Sequence, residues 1–182
     1  APALVIATGG PSIPKLGASG FAYDLARRFG LKVVEPRPAL VPLTLGGDDV
    51  MLRELSGVAA DVVASCGKTR FREAALLTHR GLSGPAILQI SSYWRPGQAI
   101  ALNFTPDAAP DWLIDAKRAA PKQTLEAALA AHLPARLSAL LCTRLGQGGR
   151  LADMGDKALR AATARLSHWT FVPNGSEGFA KA

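Results

Sequence analysis

Residues 78–91 read THRGLSGPAILQIS, and within them a strand pattern gives way to a helix pattern. Residues 71–78, which overlap the start of this stretch, read as a short β-like segment. Gly84 and Pro85 then mark a turn, and proline is favoured in the first turn of a helix. These residues predict a short helix over 84–90 that interrupts a unit made of strands.

Other short β-like segments lie on both sides of this helix. Turns at Gly47-Asp48, Gly67-Lys68 and Pro96-Gly97 separate them, because these residue types supply the backbone angles that tight turns need. The segments are residues 40–45, 58–65, 71–78 and 98–104. Strands of this length and spacing are typical of a small barrel or sandwich.

The part of the chain after Pro106 is rich in alanine and leucine, with apolar residues at helical spacing. Thr124 is a residue type that caps helix N-termini, and Gly146 suits a helix C-terminus. The predicted helices are residues 111–118, 124–132, 135–145 and 156–167. We therefore expect an α+β fold in which a small β-barrel is joined to a helical subdomain.

The first part of the chain has the pattern of a strand, a loop and a helix. Residues 3–7 form an apolar run typical of a buried strand, and residues 31–35 read as a second short strand. A glycine-rich loop and a helix pattern beginning after Gly20 lie between them. Prolines around Pro38 exclude a regular helix, so we expect a domain junction there. A buried strand this close to residue 1 leads us to expect a further segment before it.

The composition excludes several classes of protein. The chain has 182 residues, 48% of them apolar, which excludes disorder of the whole chain because a sizeable core can form. No apolar run approaches the roughly 20 residues of a membrane span. Cys66 and Cys142 lie far apart without the spacing of zinc ligands, so we expect no metal site and a reducing cytoplasm.

Residues 8–20 follow the first predicted strand and are rich in glycine. Backbone N–H groups in such a loop can approach an anionic or planar ligand closely. The alternative is a plain strand-to-helix turn without a ligand, since the loop lacks the G-x-G-x-x-G pattern of dinucleotide-binding proteins. On these residues alone both interpretations stay open.

His79, Arg80 and Ser83 lie in one loop between a strand and a helix start, a position that favours polar and anionic ligands. A serine–histidine pair suggests nucleophilic catalysis, but the spacing differs from the G-x-S-x-G elbow and no orienting acid is identifiable. We expect His79 to face a ligand or to make a structural hydrogen bond, and Ser83 to cap the helix. The sequence names no catalytic residue.

The formal net charge of +7 raises the question of a polyanionic partner. Five arginines in or between the predicted helices are candidates for a nucleic-acid surface: Arg136, Arg144, Arg150, Arg160 and Arg165. Lys68, Arg70 and Arg72 alternate along a predicted strand, as is typical of a solvated outer face. Because aromatic residues are not interleaved with the helical arginines, we do not expect nucleic acid as a partner.

Three motifs, in this order, resemble one family. The first comprises Ala7-Thr8-Gly9-Gly10, Ser12, Pro14, Gly17 and Gly20. The second is the run Arg37-Pro38-Ala39-Leu40-Val41-Pro42-Leu43, and the third is residues 78–91. Together they are similar to the YhiN/BaiN-like family of NAD(P)/FAD-dependent oxidoreductases, and the resemblance spans nearly the whole chain.

The resemblance implies that this chain is an internal piece of a longer flavoprotein. Residues 1–38 would be a partial FAD-binding segment of Rossmann type, and residues 39–106 an inserted β-barrel subdomain. Residues 107–170 would be a helical subdomain resembling a helix-two-turn-helix arrangement, and residues 171–182 a return linker to the FAD domain. The isolated piece would be inactive and without bound FAD.

The same resemblance implies an FAD enzyme that moves hydride from NAD(P)H to an organic acceptor, with the insert covering the flavin. Its partners would be a small-molecule acceptor and the rest of its own FAD-binding domain. The residues expected to contact FAD are Thr8, Gly9, Gly10, Ser12, Pro14 and Gly17, and those expected in the acceptor pocket are His79, Arg80 and Ser83. The alternatives are a module that binds nucleic acid or another polyanion, and a purely structural interaction module.

Overall fold

The computed structural model of the protein describes residues 2–182, and residue 1 of the expected segment 1–38 lies outside them. The fold is α+β, with a barrel-like antiparallel sheet and a set of helices. The strands are β1 (Leu43–Thr44), β2 (Ala59–Cys66), β3 (Thr69–Leu77), β4 (Gly81–Ser83), β5 (Ile100–Asn103), β6 (Trp169–Phe171) and β7 (Gly175–Ser176). The α-helices are α1 (Phe21–Arg28), α2 (Pro85–Ser91), α3 (Trp112–Ala119), α4 (Leu125–Ala130), α5 (Ala135–Leu145) and α6 (Asp156–Ser167).

The sheet curls back on itself. Its strand order is β6-β5-β2-β3-β4-β1-β7, and each neighbouring pair is antiparallel. β6 and β7 lie at opposite edges of this order, yet only residues 172–174 separate them along the chain. Four peptide steps span at most about 14 Å, so the two edges must approach each other. The expected barrel is thereby confirmed as a barrel-like sheet.

The hairpin of β2 and β3 is the longest pairing in the sheet. It runs from Ala59 opposite Leu76 to Cys66 opposite Thr69. Along β2 buried residues alternate with more exposed ones, and Val62 and Ala64 have no exposed surface. This alternation follows from the two-residue period of a strand, which turns one face toward the core.

Helix α2 packs against the inner face of this hairpin, with Ala86, Ile87 and Ile90 fully buried. It begins at Pro85, as the sequence predicts. The expectation that Ser83 caps it is wrong, because Ser83 belongs to β4 and the residue at the cap position is Gly84.

The helices after residue 106 form one compact group. α5 and α6 have the bounds that the apolar periodicity predicts, and the Thr124 Oγ1 accepts a hydrogen bond from the Ala127 N–H at 3.1 Å. Gly146 ends α5 with a φ of 65°. The buried leucines of this group belong to the same apolar cluster as the barrel: Leu113, Leu125, Leu129, Leu137, Leu141, Leu159 and Leu166. The helical subdomain is therefore confirmed and shares a core with the sheet.

The segment before β1 differs most from its prediction. Residues 3–7 and 31–35 form no strand, and Leu4 and Val5 are at least 80% exposed. α1 is present, but none of its residues is buried. An apolar run needs a neighbouring strand to complete its backbone hydrogen bonds, and within residues 2–182 these runs have none. The leading piece of a Rossmann-type domain is consequently not formed here.

Both cysteines are free and buried. Burial raises the pKa of each thiol, to about 11 for Cys142. Across residues 2–182, no helix is long and apolar enough to cross a membrane.

Candidate functional site

His79 and Arg80 form the tip of a tight turn between β3 and β4. Thr78 fixes this turn, because its N–H donates to the Gly81 carbonyl at 2.8 Å and its Oγ1 accepts from the N–H groups of Arg80 and Gly81. The Arg80 carbonyl in turn accepts from the Leu45 N–H at 3.1 Å. Both sides of the turn are thus held by backbone hydrogen bonds.

The side chains of His79, Arg80 and Ser83 line one cleft of about 470 Å³. The C-terminal tail forms another side of this cleft through Glu177 and Lys181. The structure therefore brings together the three residues expected in one pocket and adds two that the sequence motifs did not indicate. We call these five residues the turn–tail cleft.

Glu177 forms an ion pair with Arg80. Its Oε2 lies 3.5 Å from the Arg80 Nη1, and the Glu177 side chain is only 10% exposed while that of Arg80 is 55% exposed. Among the described residues that line the cleft, Glu177 is the one carboxylate. Arg80, Lys181 and His79 therefore give the turn–tail cleft an excess of hydrogen-bond donors, as suits a phosphate or another anion.

The residues expected to contact FAD lie mostly at the surface. Thr8, Gly9, Ser12, Pro14 and Gly17 are exposed. Gly10 is half-buried, and a Cβ there would lie 3.3 Å from the hydroxyl of Tyr23.

One backbone contact connects this loop to the turn–tail cleft. The Ile13 N–H donates to the Phe179 carbonyl at 2.8 Å, and Phe179 lies between the two tail residues of the cleft. The glycine-rich loop and the cleft therefore flank the same short tail. Sequence spacing gave no sign of this, because the contact joins two distant parts of the chain.

Most of the helical arginines that suggested a nucleic-acid surface have partners within the molecule. Arg144 and Arg160 form ion pairs with Asp49 and Asp111 at 2.7 and 3.1 Å. The guanidinium of Arg136 donates to a backbone carbonyl of the 3-10 helix Gly47–Leu55. This set of arginines is therefore not a free basic face.

Arg72 is also engaged. Its guanidinium donates to both carboxylate oxygens of Asp107 at 2.6 and 2.8 Å and to Asp61 at 2.9 Å. The hydrogen bonds from Arg72 lower the pKa of Asp107. Lys68 and Arg70 precede Arg72 at the start of β3. Unlike Arg72, they have no ion-pair partner among residues 2–182.

Two curated relatives match nearly the whole chain. The "Ribosomal RNA dihydrouridine synthase" of Escherichia coli (strain K12) is 46% identical over 187 residues, which cover 98% of this chain and 46% of that protein. The protein of the same name from Haemophilus influenzae (strain ATCC 51907 / DSM 11121 / KW20 / Rd) is 40% identical over 183 residues, covering 98% of this chain and 45% of that protein. The chain spans about half the length of the curated relatives it matches.

These relatives contradict the function expected from the sequence. The expectation that the protein reduces a small organic acceptor beneath an insert is wrong, because both relatives are named for ribosomal RNA. The expectation that nucleic acid is not a partner is wrong for the same reason. The similarity runs through 98% of the chain and includes both sides of Pro38, which conflicts with the description of the part after Pro38 as an insert. The feature of the sequence that agrees with an RNA partner is the net charge of +7. The absence of aromatic residues between the helical arginines is not a reason to exclude RNA.

The family comparison agrees with the fold. A family model described as "HI0933-like protein barrel and H2TH domain" matches residues 37–182, which hold the whole sheet and α2–α6. The resemblance to the flavoprotein family is confirmed at the level of this shared barrel and helical domain. The chain therefore belongs to the HI0933-like protein barrel and H2TH domain family.

Proposed function

We propose that this chain recognises ribosomal RNA as part of a protein that reduces uridine to dihydrouridine. The observation that carries the proposal is the 46% identity, over 98% of this chain, with a protein named ribosomal RNA dihydrouridine synthase. The net charge of +7 supports it, because a basic protein is attracted to the phosphates of RNA.

The chemistry of this reaction supports the cofactors expected from the sequence. Reducing the C5–C6 double bond of uracil adds a hydride and a proton, and the hydride is supplied in proteins by a nicotinamide or a flavin. We therefore include FAD as the flavin and NAD(P)H as the reductant of the complete protein in this proposal. The likeness to the YhiN/BaiN-like oxidoreductases supports both. The described residues do not enclose a flavin, since five of the six residues expected to contact it are exposed.

The part we assign to this chain is to hold the RNA. A uridine inside folded RNA reaches an enzyme only when it is unstacked, so the protein must grip the backbone next to the target base. Arg80, Lys181 and His79 are suited to contact phosphate oxygens, and Glu177 keeps Arg80 oriented toward the turn–tail cleft.

The division of the chain also belongs to this proposal. We assign residues 39–106 to the barrel, 107–170 to the helical subdomain, and 1–38 to a segment that packs on the rest of a Rossmann-type FAD domain. The exposed apolar side chains of Leu4, Val5 and Val34 support that packing. Within residues 171–182, β7 pairs with β1, so this return segment also completes the sheet. Ribosomal RNA as substrate agrees with a cytoplasmic location.

The proposal is tested by measuring the affinity of the full chain for ribosomal RNA at several salt concentrations. We expect the logarithm of the binding constant to fall linearly with the logarithm of salt concentration, because phosphate contacts release counterions. The variant Arg80→Gln with Lys181→Gln should bind more weakly and with a slope smaller by about 0.7 to 0.9 per lost contact.

Lys157→Gln is the matched control, because it removes one exposed charge on α6, away from the turn–tail cleft. It should retain the slope of the unchanged chain. Absence of salt-dependent binding would contradict the proposed function, and equal losses in both variants would contradict the role of the cleft.

A further inference from the structure

An exposed aromatic pair lies at the C-terminal end of α2. Tyr93 follows that helix and is 53% exposed. Phe71 of β3 lies beside it, with ring centroids 5.7 Å apart and ring planes inclined by 43°. Phe71 packs against the core, so the pair is anchored on one side while more than half of Tyr93 faces solvent.

The turn that carries Tyr93 is held by the residues that follow it. The Trp94 Nε1 donates to the Gln98 carbonyl at 2.8 Å, and the Gln98 N–H donates to the Arg95 carbonyl at 2.9 Å. The side-chain Oε1 of Gln98 accepts from the Arg95 N–H at 2.9 Å and lies 3.9 Å from the Cys66 Sγ. This turn is therefore fixed against the end of the β2–β3 hairpin.

Three cations without acidic partners lie close to the aromatic pair along the chain. Lys68 lies in the hairpin turn and Arg95 follows Tyr93 by two residues. Arg70 precedes Phe71 near the end of the hairpin, on the other face of β3. None of these three cations forms an ion pair with a carboxylate of the described chain. We call Lys68, Arg70, Phe71, Tyr93 and Arg95 the Tyr93 surface.

Acidic residues are absent from the two stretches that form this surface. Residues 62–72 and residues 85–106 contain no aspartate or glutamate. The nearest acid along β3 is Glu73, and the charge of Arg72 is balanced by Asp61 and Asp107. Arg95 also lines a cavity of about 290 Å³ together with Arg37, which extends the positive charge.

We propose that the Tyr93 surface is a stacking site for an unpaired base of RNA, with the neighbouring phosphates held by Lys68, Arg70 and Arg95. This inference rests on the proposed function, since it names where a single strand would lie. Single-stranded binding surfaces combine an exposed aromatic ring with nearby cations, because every base has a face that can stack. A duplex offers no such face along its length, so the surface selects unpaired nucleotides.

The inference is tested by titrating the full chain with a fluorescent single-stranded oligouridine and with a duplex of equal length. The chain should prefer the single strand. Tyr93→Ala should weaken the affinity by about 5- to 150-fold, the range expected for losing one stacked base, whereas Tyr93→Phe should keep it because the ring remains. The variant Lys68→Gln with Arg70→Gln should lower the salt slope by about 0.7 per lost phosphate contact, and Lys157→Gln should leave it unchanged.

Photocrosslinking with 4-thiouridine RNA provides a readout that does not depend on affinity, and the crosslinked peptide should contain Tyr93. The thermal midpoints of Tyr93→Ala and the unchanged chain are compared, so that a loss of binding can be told from a loss of folding. Equal affinity of Tyr93→Ala and the unchanged chain would overturn the inference, as would preference for the duplex or crosslinks confined to the turn–tail cleft. If the unchanged chain binds no RNA, the proposed function itself fails.

Discussion

Gly84 shows how one residue determines the approach of α2 to the sheet. Its φ is +87°, and a Cβ at this position would lie 2.7 Å from the Ala74 carbonyl oxygen and 2.8 Å from the Leu76 nitrogen. Backbone atoms of a paired strand cannot move away easily, and a positive φ is itself strained for alanine.

We therefore predict that Gly84→Ala lowers the free energy of unfolding by about 1 to 3 kcal/mol or more, as measured by urea unfolding. Gly148→Ala is the matched control, because a Cβ there meets nothing within 4 Å and Gly148 lacks a positive φ. A control change as large as that of Gly84→Ala would show that the close approach to β3 is not the cause.

The ion pair between Arg72 and Asp107 makes a pH-dependent contribution. Because hydrogen bonds from Arg72 lower the pKa of Asp107, folding favours the charged carboxylate. The sign follows from linkage: this stability is present above the carboxyl's ordinary pKa and is lost as pH falls through the lowered value. We predict that Asp107→Asn lowers the thermal midpoint at neutral pH and has no effect in strong acid. A difference that persists unchanged in acid would contradict this assignment.

At the scale of elements, Arg144 of α5 ties the helical subdomain to the 3-10 helix Gly47–Leu55. Its Nη1 lies 2.7 Å from the Asp49 Oδ1, and both side chains are less than 20% exposed. The guanidinium also lies 5.9 Å from the centroid of the Trp169 ring. Charged hydrogen bonds in such settings contribute about 1.5 to 3 kcal/mol.

We predict a coupling energy of about 1 to 3 kcal/mol between Arg144→Ala and Asp49→Asn in a double-mutant cycle of unfolding free energies. The exposed pair of Arg118 and Asp115, at 74% and 63% exposure, is the control and should couple by less than about 1 kcal/mol. Equal coupling in the two cycles would mean that burial does not strengthen the contact.

Elements with a strong local pattern were predictable from the sequence. α5 and α6 have the predicted bounds because their apolar residues repeat at helical spacing and a glycine ends α5. β6 and β7 were missed because strands of three and two residues are too short to show an alternation. Residues 3–7 were expected to form a strand because their apolar pattern is clear. They form none, because no strand in residues 2–182 pairs with them.

The turn–tail cleft was predictable only in part. His79, Arg80 and Ser83 share it because they lie within residues 79–83, in the turn before β4 and at the end of that short strand. Glu177 and Lys181 reach it through the pairing of β7 with β1, in which Ser176 lies opposite Leu43. A contact between distant parts of the chain depends on strand register, which spacing in one sequence does not reveal.

At the scale of the whole molecule, positive charge is spread along the chain. Residues 1–38 and residues 107–170 each carry +3 of the net charge of +7, and residues 39–106 carry +1. Arg136, Arg144 and Arg160 of the helical subdomain have partners within the molecule. At the turn–tail cleft Arg80 is paired with Glu177, whereas Lys181 forms no ion pair within residues 2–182. The cations of the Tyr93 surface form none either. Two separate contact regions on one rigid barrel would orient an RNA strand as well as attract it.

The most direct measurement is the dihydrouridine content of ribosomal RNA from cells with and without the gene for this chain, by mass spectrometry of the nucleosides. Reduction adds two hydrogen atoms to a uridine, so we predict that at least one rRNA dihydrouridine disappears on deletion and returns with the unchanged gene. A gene carrying Arg80→Gln and Lys181→Gln should restore it only in part, because the phosphate contacts are lost. Identical dihydrouridine content in the two strains would contradict the assignment to ribosomal RNA.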